Sequence, residues 1–173
     1  MKIIVVSDIH GNSEKFKIVM NFMKQEQIDK MIILGDIFNN YYELNAASKE
    51  ISSMLWEIPS KLVITKGNCD NSFDQTLLPV NFLDHFQMVL GTKRIYFHHG
   101  HLRTLYSDSI NVYCQGHTHV AKIQETDGVI YMNPGSISRP RDYTCGTFLV
   151  MSESVITIFD LNFNVIYEKN ISR

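Results

Sequence analysis

The sequence has no apolar stretch approaching the roughly 20 residues that a bilayer-spanning helix requires. Its start, MKIIVVSDIHG, superficially resembles a signal peptide, but the apolar run covers only Ile3 to Val6 and no small-residue cleavage site follows. Basic residues are not in excess: 16 Lys and Arg against 18 Asp and Glu leave a formal charge of −2. A general nucleic-acid binder needs a positive surplus to neutralise phosphates, so that class is set aside, while a small phosphate-bearing substrate stays open. Only three cysteines occur, Cys69, Cys114 and Cys145, an odd and widely spaced set that reads as reduced thiols and not as a disulfide framework. Linkers, low-complexity tracts and internal repeats are also missing. These absences leave a soluble chain, expected in the cytoplasm, whose residues 1–173 form one domain with enough length to bury a full core.

The first half alternates short apolar runs with helical patterns. KIIVV, MIIL (31–34) and LVIT (62–65) read as buried strands. Between the first two, Phe16, Val19, Met20 and Met23 recur at helical spacing after Asn12-Ser13, an N-cap signal. Leu44, Ile51, Met54 and Leu55 suggest a second amphipathic helix, closed by Pro59. That β-α-β-α-β order predicts a parallel sheet with helices on its outer face. Beyond Phe86 the pattern changes to strands and tight turns, with FQMVL and RIYFHH around Gly91-Thr92 and AKIQET and VIYMN around Asp127-Gly128. GTFLVM, VITIFDL and VIYEK are the last strands, and Cys114 and Cys145 fall in strand-like runs as expected core thiols. The fold class is therefore α/β (α+β): a two-sheet β-sandwich flanked by helices, with each half of the chain forming one sheet.

What the sequence does hold is histidine in clusters. FHHGH carries His98, His99 and His101, and GHTH carries His117 and His119; only His10 and His85 lie elsewhere. Each early strand also ends in polar residues: Asp8 and His10 in SDIHG, Asp36 in LGDIF, and Asn68, Cys69 and Asp70 in KGNCD. Ligands bind at the carboxyl ends of parallel strands, so Asp8, Asp36 and Asn68 should converge at one edge. Asp8 and His10 alone would be an ordinary capped turn, and the neighbouring glycines ordinary turn residues. Together the oxygen and nitrogen donors suit divalent Mn, Fe or Zn. A pair of ions about 3.5–4 Å apart needs a bridging carboxylate and several imidazoles, and the set is of that size.

The ordered motifs D-x-H (8–10), G-D (35–36), G-N-C-D (67–70), H-G-H (99–101) and G-H-T-H (116–119) resemble those of the calcineurin-like metallophosphoesterases. The G-N-C-D and H-G-H forms and the trailing NPGS (133–136) are similar to the short bacterial and archaeal phosphodiesterases of the YfcE and MJ0936 type. The resemblance runs from residue 3 to the final strands, and it implies an αββα sandwich. It further implies that Asp8, His10 and His119 ligate a first metal and Asn68, His99 and His117 a second, with Asp36 bridging both. Asn68, His99 and Asp36 then stand closest to catalysis. Two divalent ions, Mn foremost with Ni, Fe, Zn or Mg as alternatives, lower the pKa of a shared water. The resulting hydroxide attacks phosphorus in line, and the ions stabilise the added charge. Asn68, being neutral, leaves more positive charge for the substrate than a carboxylate would.

Other residues carry narrower expectations. Asp70 should orient its neighbours by hydrogen bonding. His98 is opposite in strand phase to His99 and should support a neighbouring group without binding metal; His85 has no motif around it. His101 and Arg139 are expected near the substrate or the ligands, and Arg139 and Arg141 either hold a phosphate or belong to a solvated loop. Cys69 stands where many relatives carry a histidine able to protonate the leaving alkoxide. A thiol beside two cations would tend to lose its proton and make a poor general acid. The expected activity is hydrolysis of a phosphodiester in a small molecule or nucleotide derivative, with no membrane partner and homo-oligomerisation left open. The alternatives are a protein-interaction scaffold, as in the retromer subunit Vps29, which resembles the same family, and a phosphomonoesterase.

Overall fold

The computed structural model describes residues 1–39, 44–104 and 106–172. In chain order the elements are β1 (Ile3–Val6), α1 (Ser13–Gln25), β2 (Lys30–Ile33), α2 (Ala46–Trp56), β3 (Leu62–Thr65), α3 (Ser72–Gln75) and β4 (Phe82–Leu83). There follow β5 (His85–Leu90), β6 (Lys93–His98), β7 (Val112–Gln115), β8 (Ala121–Thr126), β9 (Val129–Pro134), β10 (Thr147–Met151), β11 (Val155–Asp160) and β12 (Val165–Asn170). They form a seven-stranded sheet in the order β12-β11-β10-β1-β2-β3-β4 and a five-stranded sheet in the order β5-β6-β7-β9-β8.

The near-continuous apolar runs of β1 and β2 follow from burial on both faces. Ile4, Val6, Met31 and Ile33 point into the core shared with α1 and α2. Their alternates Ile3, Val5, Ile32 and Leu34 pack instead against Ile95, Phe97, Val112 and Met132 of the second sheet. Each such side chain contributes about 1.5–3 kcal/mol on full burial. Helix α1 begins where Asn12 accepts from the Lys15 backbone N–H at 3.0 Å, and it buries the Phe16, Val19, Met20 and Met23 stripe. Helix α2 is capped in the same way by Asn45 onto Ser48 at 2.8 Å, which leaves Leu44 exposed and outside it.

Strands β1, β2 and β3 are parallel, as the alternating pattern predicts. The hairpin β8–β9 closes through Asp127 and Gly128 with φ of 52° and 76°, the two positive values that a type I′ turn requires. Three features differ from the sequence reading. The two halves do not each make one sheet: β10 pairs antiparallel with the open edge of β1 and brings β11 and β12 into the first sheet. α3 and β4 are too short to show a period. Cys145 is exposed, because the chain turns at Gly146 (φ +121°) before β10 begins, whereas Cys114 is buried in β7. Among the described residues no helix is long and apolar enough to cross a membrane.

Candidate active site

Parallel strands end on the same side, so the segments after β1, β2 and β3, and those after β6 and β7 of the other sheet, meet along one edge. Their backbone there is unusual. Of the non-glycine residues with positive φ, Asp8 (55°), His10 (45°), Asp36 (53°), His117 (65°) and His119 (62°) all belong to the expected ligand set. Left-handed conformation in such residues costs on the order of 1–3 kcal/mol each and persists only where the surroundings enforce it.

Those surroundings are specific hydrogen bonds. Asp70 accepts from Asp36 N and Gly67 N with Oδ2, both at 2.8 Å, and from Ile37 N with Oδ1 at 3.0 Å. One carboxylate thus joins the loops after β2 and β3. The loops approach so closely that a Cβ on Gly67 would overlap the Asp36 carboxylate. Burial pushes the Asp70 carboxyl up to about 6, against the pull of those three N–H donors.

Asp8 uses its two oxygens differently. Oδ2 accepts from Ser7 Oγ at 2.6 Å and from His117 N at 3.0 Å. Oδ1 is buried with no hydrogen-bond partner and lies 3.1 Å from His119 Nε2 and 3.8 Å from His10 Nε2. Burial by itself would raise the Asp8 carboxyl, but the His119 and Ser7 contacts outweigh it and the net direction is down. His119 is raised, chiefly by its contact with Asp8. His10 is lowered, by burial first, against the attraction of Asp36 and Asp8.

Two backbone carbonyls set imidazole tautomers. His99 Nδ1 lies 2.5 Å from Leu34 O, and His119 Nδ1 lies 2.7 Å from Arg139 O. A carbonyl only accepts, so both Nδ1 atoms carry hydrogen and each Nε2 is turned to the site. In neutral His99 the bare Nε2 then faces Asn68 Oδ1 at 3.1 Å, one acceptor against another. Asp36 Oδ1 is held by Cys69 N at 2.8 Å, while Oδ2 lies 3.7 Å from His99 Nε2 and 3.8 Å from His10 Nε2. Facing acceptors and an orphaned buried carboxylate oxygen are what cations between them would resolve, so this donor set fits divalent metal. Among the described residues, three groups have ligand atoms within 4.8 Å of one another: Asp8, His10 and His119; Asp8, Asp36 and His99; and His10, Asp36 and Cys69.

The remaining candidates fall around this centre. His117 is exposed, with its ring 5.1 Å from that of His99; His101 is 5.3 Å from His99 on another side. Arg139, Pro140 and Arg141 line an open cavity of about 510 Å3 together with His10, Asp36, Asn68, Cys69, His117 and His119. Asn68 Nδ2 donates to Cys69 Sγ at 3.3 Å. Burial, then contact with Asp36, pushes the Cys69 thiol up to about 12, opposite in direction to the pull that two cations would exert. His98 belongs to the outer face with Tyr96 and pairs across strands with His85; among the described residues its buried Nε2 has no hydrogen-bond partner.

Sequence reasoning missed the residues behind the ligands. Asn133 Nδ2 donates to Gly116 O at 2.8 Å and to Thr118 Oγ1 at 2.9 Å, holding the His117–His119 segment from below. Ser136 Oγ donates to Asp8 O at 2.8 Å, and Ser138 Oγ to the same oxygen at 3.1 Å. The NPGS tetrapeptide was the visible signal, but its partners lie as far as 128 residues away.

A two-sheet sandwich whose strand ends gather carboxylates, imidazoles and an amide around a metal-sized gap defines a metallohydrolase-type centre. The sequence model of the calcineurin-like phosphoesterase superfamily domain matches residues 1–154, and the chain belongs to that family. It is 30% identical over 173 residues to phosphodiesterase YfcE of Escherichia coli K12, covering 94% of this chain and 93% of that protein. The solved structure of Yfce, a phosphoesterase from E. coli, superposes with a TM-score of 0.87 at 27% identity, covering 99% of this chain and 100% of that one. Zinc-complexed Vps29 from Entamoeba histolytica shares the fold alone, with a TM-score of 0.67 at 16% identity, covering 99% of this chain and 98% of that one.

Proposed function

We propose that residues 1–173 act as one domain, a binuclear metal-dependent phosphodiesterase acting on a small-molecule or nucleotide diester in the cytoplasm. The observation that carries the proposal is the gap bounded by Asp8 Oδ1, His119 Nε2, His99 Nε2 and Asn68 Oδ1, where carboxylate, imidazole and amide ligand atoms converge, 3.1 Å apart within each of the two pairs. Asp8, His10 and His119 would hold one ion and Asn68, His99 and His117 the other, with Asp36 Oδ2 between the two sets. When bound, two divalent ions, Mn in preference to Ni, Fe, Zn or Mg, supply an acidified water as nucleophile and polarise the phosphoryl oxygens.

The chain's own residues set the terms of that chemistry. Arg139 O and Leu34 O fix the imidazole tautomers, so each Nε2 is available without a proton rearrangement. Neutral Asn68 leaves the centre more positive than an acid would. Burial and Asp36 push the Cys69 thiol up while bound cations would draw it toward thiolate, and neither extreme suits protonating an alkoxide, which favours leaving groups that depart without a proton. The 30% identity to a protein named phosphodiesterase supports a diester over a monoester. A Vps29-like scaffold is the second reading, favoured by the shared fold; a scaffold would not need a complete donor set, and all seven positions here hold competent donors.

The test reconstitutes stripped protein separately with Mn, Ni, Fe, Zn and Mg and assays mono- and diesters. Diester hydrolysis with two ions per chain is expected, and Asp36→Ala should abolish turnover and release both ions. Full activity with one ion per chain would overturn the binuclear assignment. Inertness with every metal would favour the scaffold.

A further inference from the structure

The loop between Ser136 and Gly146 reaches the site without contributing a metal ligand. Its backbone is fastened at several points. Arg139 N donates to Ser136 Oγ at 2.9 Å, Arg139 O receives His119 Nδ1 at 2.7 Å, and Arg141 N donates to His119 O at 2.9 Å. Pro140, between the two arginines, has a fixed φ. The positions of Arg139 and Arg141 are therefore registered directly on His119.

Among the described residues neither arginine makes a hydrogen bond or ion pair through its side chain, although both line the cavity with the ligand set. The nearest acid in sequence, Asp142, is spent elsewhere: Oδ2 accepts from Ala121 N at 2.6 Å and Oδ1 from Thr144 Oγ1 at 2.7 Å.

A phosphodiester linkage carries a single negative charge. Two ions already exceed the charge of Asp8 and Asp36, so one such group leaves the arginines without a counterpart. The cavity also extends beyond the ligands to Pro140 and Arg141. Resting on the phosphodiesterase reading, we infer that Arg139 and Arg141 form a second anion subsite, and that the preferred substrate is a diester bearing a further phosphate, as in a phosphorylated nucleotide ester. Guanidinium matches phosphate through paired N–H donors, which makes arginine suited to this task.

The experiment compares two chromogenic esters with the same scissile bond: thymidine 5′-(p-nitrophenyl phosphate) and its 3′-phosphorylated form. In both, water oxygen bonds to phosphorus and its proton passes to solvent, the P–O bond to the aryl group breaks, and p-nitrophenolate leaves with the electron pair. The Mn-loaded enzyme should favour the 3′-phosphorylated ester by about tenfold or more in kcat/KM, mainly through KM. Arg139→Gln and Arg141→Gln should each move that ratio toward one at unchanged metal content. Isothermal titration provides a readout without turnover: thymidine 3′,5′-bisphosphate should bind more tightly than thymidine 5′-phosphate, and Arg141→Gln should remove the difference. Absence of preference in the unaltered enzyme, or equal loss on both esters in the variants, would overturn the subsite. Failure to cleave either ester or bis(p-nitrophenyl) phosphate would instead remove the phosphodiesterase reading, and this inference with it.

Discussion

His98 and His99 are adjacent in sequence but face different layers. His99 donates through Nδ1 to Leu34 O and turns Nε2 to Asn68 and Asp36, whereas His98 lies among Tyr96 and His85 on the far side of the sheet. His99→Ala should lower bound metal from two ions per chain toward one and reduce diester turnover by several orders of magnitude. His98→Ala should leave metal content unchanged. Elemental analysis of both variants checks the assignment, and the reverse ranking would mean that the cluster is read one residue out of register. Cys69 offers a second residue-level test. Its thiol is pushed up to about 12 by burial and Asp36, and bound ions would pull it toward thiolate; at either extreme it is poorly matched to protonating an alkoxide. Cys69→His introduces an imidazole of suitable pKa, and general-acid help is worth about 10²–10⁴-fold when well placed. The gain should be largest for alkyl leaving groups and small for activated aryl ones. A uniform loss across a leaving-group series, with metal retained, would reveal another role for the thiol.

Elements, more than single side chains, decide how well the site is held. Strand β9 ends in Asn133, whose amide supports both Gly116 O and Thr118 Oγ1 around His117. A buried acceptor left without its partner costs about 1–3 kcal/mol. Asn133→Ala should therefore weaken metal retention by about 5- to 100-fold in chelator competition. If the melting temperature fell while metal affinity stayed constant, Asn133 would be a packing residue only. This brace also marks where sequence reading stops. Apolar periodicity suffices for β1, α1, β2 and β3, and strand-end position for the convergence of Asp8, Asp36 and Asn68 at one edge, because those signals are local. The hairpin at Asp127-Gly128 is equally local. The attachment of β10 to β1 has no local signature, since either sheet offers an apolar edge. Nor does periodicity reveal that Cys145 precedes its strand, since the turn at Gly146 interrupts an otherwise apolar run. The partners of Ser7, Asn133 and Ser136 have no local signature, because only the folded chain brings them near.

At the scale of the whole molecule, the site joins two sheets that otherwise meet through apolar packing. Ions bound between their edges stabilise the native chain by mass action, about 2.7 kcal/mol at a concentration 100 times Kd. Adding Mn to chelator-treated protein should accordingly raise Tm by roughly 5–10 °C for a chain of this size. Asp36→Ala should lose that increase; an equal rise in the variant would place the stabilising ion elsewhere. The left-handed backbone at Asp8, His10, Asp36, His117 and His119 adds an opposing pressure. Glycine or asparagine would adopt these corners with less strain, but neither could replace a carboxylate or an imidazole in its full role. Selection for a hardier fold and selection for turnover would thus pull the same five positions in opposite directions, and a descendant released from catalysis would be free to drift toward the sturdier choice.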